Sequence, residues 1–190
     1  MKSSLKNMII SLLGITMVAS AGVGVVYQVT AEPIAQAAIA ATNAALAEVL
    51  PTFDDTSLKS LTIDDMPIDL YTAKKSGDVV GYAVKSMTKS GFNGVITLMV
   101  GLTTEGKVVN VSVLSHAETP GLGTKMMDDG NPLLGGIQGK KLEKLDLRVK
   151  KDGGDVDALT AATITSRAYL DAIQRAQKAY DLAKGGAANE

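Results

Sequence analysis

Apolar and polar positions divide the chain into an uncharged run, an alanine-rich stretch, and a long region of alternating character. From Met8 to Tyr27 no charged side chain interrupts MIISLLGITMVASAGVGVVY. Roughly 20 residues at about 1.5 Å each span about 30 Å, the thickness of a bilayer's hydrocarbon core. Lys2 and Lys6 precede the run and the first charge after it is Glu32. The positive-inside tendency therefore places the N-terminus in the cytoplasm and everything after Tyr27 on the far side of the membrane. A cleaved signal peptide is the competing expectation, because Ala19-Ser20-Ala21 fits a small-residue cleavage site. The retained anchor is favoured because the apolar run continues past that site through Val23, Val25, Val26 and Tyr27. Thr16, Ser20 and Gly24 also recur at every fourth position, where another membrane helix can approach closely. Residues 1–28 are thus expected to be a cytoplasmic tip and a transmembrane anchor.

Residues 29–65 are expected to be a helical connector. Ala31 to Leu50 is rich in alanine, with Pro33 tolerated in a first turn and Pro51 just past the end. Thr52 to Asp65 is polar and predicts an irregular loop. Its aspartates, Asp54, Asp55, Asp64 and Asp65, lack the closing glutamate of a calcium loop and predict a solvated segment.

From Met66 the pattern turns strand-like. Ile68 to Thr72, Val79 to Thr88, Gly94 to Leu102 and Lys107 to Ser115 are rich in Val, Ile, Tyr and Thr. The short separations at Ser76-Gly77, Ser90-Gly91 and Glu105-Gly106 predict antiparallel hairpins, with Leu145 to Val149 as a further strand. Ile164 to Lys184 predicts a final amphipathic helix, with Leu170, Ile173, Ala176 and Tyr180 on one face and Gly185-Gly186 as its stop. Strands followed by segregated helices make residues 66–190 an α+β domain, expected outside the cytoplasm.

Composition removes several chemistries. There is no cysteine and one histidine, which excludes thiol catalysis, iron–sulfur ligation and multi-histidine metal sites on this chain. Nineteen Lys+Arg against 20 Asp+Glu give a net charge of −1, and there is no Trp, so a nucleic-acid partner is not expected. Gly101 to Lys107 superficially matches a phosphate loop, but Val108 replaces the metal-binding hydroxyl and the stretch joins two strands. Gly121-Leu122-Gly123 lacks the third glycine of a dinucleotide fingerprint. Asn110-Val111-Ser112, a glycosylation sequon, falls in mid-strand, and no nucleophile-elbow pentapeptide accompanies His116.

Two stretches remain. In Ser115 to Lys125, Pro120-Gly121 sets a tight turn, Gly123 permits close backbone approach, and His116, Glu118, Thr119 and Lys125 surround it with polar groups. In Asp157 to Arg167, the hydroxyls of Thr160, Thr163, Thr165 and Ser166 gather before the final helix. Some are accounted for as caps; together with Arg167 they also suit an anion cradle at a helix start.

These stretches resemble a known family. Asp157 to Ser166 resembles the flavinylation motif D-x-x-[S/T]-G-A-T-x-T-S of FMN-binding domains, and His116 to Gly123 resembles their H-x-E-T-P-G-L-G loop. With one N-terminal membrane helix, the whole chain is similar to the RnfG family, G subunits of ion-translocating Rnf electron-transport complexes. The C subunit of the sodium-pumping NADH:quinone oxidoreductase is a cousin. The resemblance implies covalent FMN, joined by a phosphoester to Thr163. It implies a flavin transferase that uses FAD and recognises Asp157. It implies flavin contacts from His116, Glu118, Thr119, Gly121, Leu122, Gly123 and Lys125 on the loop. On the motif it implies Thr160, Ala161, Ala162, Ile164, Thr165 and Ser166, with the hydroxyls of Thr165 and Ser166 and nearby amides holding the phosphate. Ala161 departs from the family's glycine, and a Cβ is strained there if φ is positive.

The implied role is a redox subunit, with no catalytic residue or metal of its own, in a single-pass assembly in the bacterial inner membrane. That assembly couples electron transfer between ferredoxin and NAD to sodium or proton movement, and partner subunits hold the other sites. The alternatives are a stand-alone exported flavoprotein, the C subunit of the sodium-pumping NADH:quinone oxidoreductase, and an exported lipid- or solute-binding domain without flavin. His116 is expected either to influence the flavin or to serve only the loop's structure.

Overall fold

The computed structural model describes residues 4–187. Helix α1 runs Leu5–Val49, and the chain divides into two compact units between Ala41 and Thr42. The alanine-rich stretch continues the membrane-length helix, with Pro33 inside it. Pro33 costs one backbone hydrogen bond, and the strong helix formers on both sides outweigh that loss. Most described side chains of the first unit are exposed, and the helix is long and apolar enough to cross a membrane. Thr16 and Thr30 donate their hydroxyls back to the carbonyls of Leu12 and Val26, at 3.0 and 2.8 Å. Neither hydroxyl therefore carries an unsatisfied donor into lipid.

The second unit is built on a five-stranded antiparallel sheet in the order β1-β2-β3-β4-β5. The strands are β1 Asp55–Ile63, β2 Met66–Lys75, β3 Asp78–Gly91, β4 Gly94–Leu102 and β5 Val108–Ser115. A short helix, α2, spans Pro132–Ile137, and the final helix, α3, spans Thr163–Ala187. Alternate residues face opposite sides, and the two sides carry separate cores. Ile68, Leu70, Val84, Ile96, Leu98, Val100 and Leu102 join Leu170, Ile173 and Ala176 of α3 on one face. Ala73, Ala83 and Met99 join Ala45, Leu46, Val49 and Leu50 on the other. Each fully buried aliphatic side chain contributes about 1.5–3 kcal/mol. The polar contacts set register: Ser86 donates to the Ala172 carbonyl at 2.7 Å, and Thr88 to Asp171 at 2.6 Å.

Three expectations are corrected. Thr52 to Asp65 is not a loop but contains β1, so the expected connector ends in a strand of the sheet. β1 is an edge strand that pairs only with β2 and leaves most of its side chains in water, which removes the alternation by which a strand is recognised. Asp64 and Asp65 form its two-residue hairpin turn, with φ of 50° and 58°, a conformation that aspartate tolerates better than most residues. Leu145 to Val149 is not a strand. Leu147 and Val149 are buried individually, and Val149 makes one isolated bridge to Val156. Finally, Gly185-Gly186 does not stop α3, which continues to Ala187 among the described residues.

Surface carboxylates tie loops to α3. Arg167 donates from Nε and Nη2 to Asp152, at 2.7 and 2.8 Å, and Lys178 donates to Asp64 at 2.8 Å. The hydrogen bond from Arg167 holds the Asp152 carboxyl below its ordinary value, and that from Lys178 does the same for Asp64. Arg148 lowers Asp146 likewise. As pH falls, the unfolded chain takes up these protons first, so their contribution is whole above about pH 4 and fades below it. Denaturant midpoints measured from pH 7 to pH 2.5 are expected to hold steady and then drop below about pH 4. A midpoint that rises on acidification contradicts this.

Candidate functional site

Three segments meet at one end of the sheet. β3 and β4 are joined by a tight turn that carries Phe92 and Asn93. β5 ends at Ser115 and leads into the loop beginning at His116. The third segment is the approach to α3 and its first turn. Between them lies a cleft of about 320 Å³. It is lined by Phe92 from the turn, by Glu118, Thr119, Leu122 and Gly123 from the loop, and by Ala161 to Thr165 from the helix start.

The loop owes its shape to local chemistry. Leu122 N–H donates to the Thr119 carbonyl at 3.2 Å across Pro120 and Gly121, and Gly121 has φ of 73°. Proline followed by a positive-φ glycine is what a type II turn requires. Gly121 N–H donates to Thr124 Oγ1 at 2.9 Å. Glu118, only 5% exposed, is held at both oxygens: Thr165 Oγ1 donates to Oε2 at 2.5 Å and Asn93 N–H to Oε1 at 3.3 Å. A side chain at Gly123 would place its Cβ 2.7 Å from Glu118 Oε2 and 2.9 Å from Thr165 Oγ1, so only glycine fits between them.

At the helix start, Ser166 N–H donates to the Ala162 carbonyl at 3.0 Å. The amides of Thr163, Ile164 and Thr165 are first-turn donors, which have no partner within a helix, and they stand at its positive end. Thr163, the first residue of α3, is half-buried and lines the cleft. Ala161 has φ of 61°, so the residue that departs from the family's glycine does occupy the left-handed region. Alanine there is strained by about 1–2 kcal/mol, partly offset because glycine would add freedom to the unfolded chain. Ala161→Gly is expected to raise stability by up to about 1 kcal/mol in chemical denaturation; a loss of stability contradicts the strain.

Other expected site residues lie outside the cleft lining. Ser166 is fully buried, donates to the Ala162 carbonyl and accepts from Leu159 N–H, each at 2.9 Å, so its hydroxyl closes the loop before α3. The Thr165 hydroxyl is likewise committed, to Glu118. Both hydroxyls are thus engaged inside the protein, while the first-turn amides of α3 are not used within the helix. Arg167 is engaged by Asp152. Thr160, Gly121 and Lys125 are exposed outside the lining. Asp157 is exposed and accepts from Lys150 at 2.8 Å. His116 accepts the Glu118 N–H at Nδ1, 3.1 Å away, and turns Nε2 toward Met127 Sδ, also at 3.1 Å. It therefore shapes the segment that presents Glu118.

Phe92 and Asn93 were missed in the sequence. Phe92 is 60% exposed in a hairpin turn, and an aromatic side chain at a turn tip, where polar residues are usual, is the signal that points to it. Leu122 and Ile164 are 41% and 47% exposed at the same cleft. An apolar rim beside a ring of amide donors fits a flat aromatic ring with a phosphate tail. The volume lies at the lower end of the roughly 300–1,000 Å³ of small-molecule sites.

The FMN-binding domain family matches residues 91–178, which contain the whole cleft lining. This is an FMN-binding domain, carried behind a helix of membrane-spanning length. Proteins named as the G subunit of an ion-translocating oxidoreductase complex match most of the chain. The protein from Shewanella piezotolerans is 35% identical over 189 residues, 92% of this chain and 88% of its own length. That from Pseudomonas aeruginosa is 34% identical over 194 residues, 95% and 90% of the two chains. A Shewanella baltica relative is 43% identical over 115 residues; that match takes in 59% of this chain and 54% of the relative. The chain belongs to this G-subunit family.

Proposed function

We propose that the protein is the covalent-FMN electron carrier of a membrane-bound, ion-translocating oxidoreductase complex, anchored by the first part of α1. The carrying observation is the cleft, in which a half-buried threonine, three helix-start amides and an apolar rim converge. FMN supplies reversible electron uptake when bound.

Thr163 offers the acceptor hydroxyl for attachment. Its Oγ1 forms a bond to the phosphorus on the riboflavin side of FAD, the P–O–P bridge breaks, AMP leaves, and the hydroxyl proton passes to solvent. A free threonine hydroxyl is a weak nucleophile, so activation belongs to the transferase. The exposure of Asp157 supports its being read by a modifying enzyme. The Thr163, Ile164 and Thr165 amides would hold the remaining phosphodiester charge at the positive end of α3. Phe92, Leu122 and Ile164 exclude water from an aromatic ring. Bound FMN would let the subunit relay electrons between redox centres held by partner subunits. The resemblance implies ferredoxin and NAD as the ends of that path and sodium ions or protons as the cargo. With the N-terminus cytoplasmic, the domain stands outside the bacterial inner membrane, where a covalent link keeps the cofactor from diffusing away.

The test is purification of the tagged full chain from its own membranes in mild detergent. Flavin absorbance together with several integral membrane companions is expected. A flavin-containing chain that purifies alone points to an independent exported flavoprotein, and a colourless chain removes the reading.

A further inference from the structure

Among the residues lining the cleft, Glu118 alone is ionisable, and its carboxylate is almost wholly buried. A charge held there is costly unless something compensates it. The surroundings are built for it. The β3–β4 turn supplies the Asn93 N–H and α3 the Thr165 hydroxyl, both to the carboxylate, while the His116 ring fixes the backbone of Glu118 by accepting its N–H. The backbone also closes on it from two sides: a Cβ at Gly91 would stand 2.8 Å from Oε1, and one at Gly123 2.7 Å from Oε2.

Shape alone does not require the charge. A glutamine at this position accepts the Asn93 N–H at Oε1 and donates from Nε2 to Thr165 Oγ1, because a hydroxyl accepts as readily as it donates. What glutamine lacks is the negative charge facing the cleft. Reduction adds electron density to a flavin ring, and a fixed carboxylate in a poorly hydrated wall disfavours that addition. The Thr165 hydroxyl draws off part of the carboxylate's charge.

We propose that Glu118 is a positioning residue that joins the three walls of the cleft and whose negative charge holds down the reduction potential of the flavin seated there. The inference rests on the FMN reading of the cleft.

The test is a redox titration of the full-length, flavin-loaded protein, with loading read separately as flavin fluorescence of the denatured band. Glu118→Gln is expected to raise the midpoint potential. Thr165→Val keeps the charge and removes its donor, and is expected to lower it. Glu105→Gln removes an exposed carboxylate at the β4–β5 hairpin, the other end of β4, and is expected to leave the potential unchanged. Opposite shifts at the first two positions are the signature, because a cleft merely loosened moves both the same way. A loaded Glu118→Gln protein with the wild-type potential, or shifts of one sign, overturns the proposal. If Glu118→Gln yields no folded protein, Thr165→Val decides: a potential that is unshifted or raised overturns it. Absence of flavin from the unaltered protein defeats the FMN reading instead, so the two failures are distinct.

Discussion

Replacing Thr163 with alanine is expected to remove flavin from the denatured protein completely. A covalent bond is present or absent, so the effect is all-or-none where other cleft substitutions give graded ones. Burial and hydrogen bonding discriminate among the hydroxyls of the motif. Ser166 is 0% exposed and Thr165 2% exposed, and both hydroxyls are engaged inside the protein. Thr160 is exposed but lies outside the cleft lining. Thr163 combines partial exposure with a place in the cleft wall at the helix start. Its loss changes little in the fold, by about 0.5 kcal/mol or less, as for most surface substitutions. The check is fluorescence of the band in a denaturing gel, with circular dichroism to confirm folding. Thr160→Ala is expected to keep the band. A band that survives Thr163→Ala, or disappears with Thr160→Ala alone, moves the attachment site.

Gly101→Ala is expected to destabilise the second unit by about 3 kcal/mol, near the top of the usual range for overpacking a core. Gly101 lies in β4, flanked by β3 and β5, on the face that carries the end of α1. A Cβ there would lie within contact-forbidden distance of the carbonyl carbon and oxygen of Val49. These are backbone atoms, so no side-chain rotation relieves the clash. β4 is pinned on both sides, which leaves the last turn of α1 to move. That movement uncovers Val49, Leu46 and Leu50, now 0%, 4% and 7% exposed, at about 1.5–3 kcal/mol for each side chain fully released. Thermal unfolding is expected to shift down by roughly 6–12 °C, taking about 2–4 °C per kcal/mol for a domain of this size. A shift under about 2 °C, corresponding to less than 1 kcal/mol, contradicts the close approach.

How much of this was legible in the chain depended on what each residue faces. β2 to β5 were legible because the Val, Ile, Tyr and Thr that fill cores on both faces of the sheet are set off by short glycine-containing turns. β1 was not, since an edge strand that is mostly in water has no reason to alternate. The aspartates at 64 and 65 gave composition without meaning until their positive φ made them a hairpin turn. The site divides in the same way. Glu118, Leu122, Gly123 and Thr163 were placed together by two motifs that the fold brings to one cleft. Phe92 comes from a third segment, and no spacing along the chain links it to the other two. The hydrogen bonds of His116 and Ser166 shape the loop and close the turn before α3. Bonding partners of that kind are a property of the packed chain, and motif position does not disclose them. The Ala161 strain was foreseeable as a condition, and its φ of 61° supplies the answer.

The most direct measurement is peptide mass spectrometry of the full chain, expressed in a host that possesses the flavin transferase. The account predicts that the peptide containing Thr163 gains the mass of FMN less one water, with fragmentation placing the gain on Thr163. An unmodified peptide from that host, or a gain placed on another residue, contradicts it.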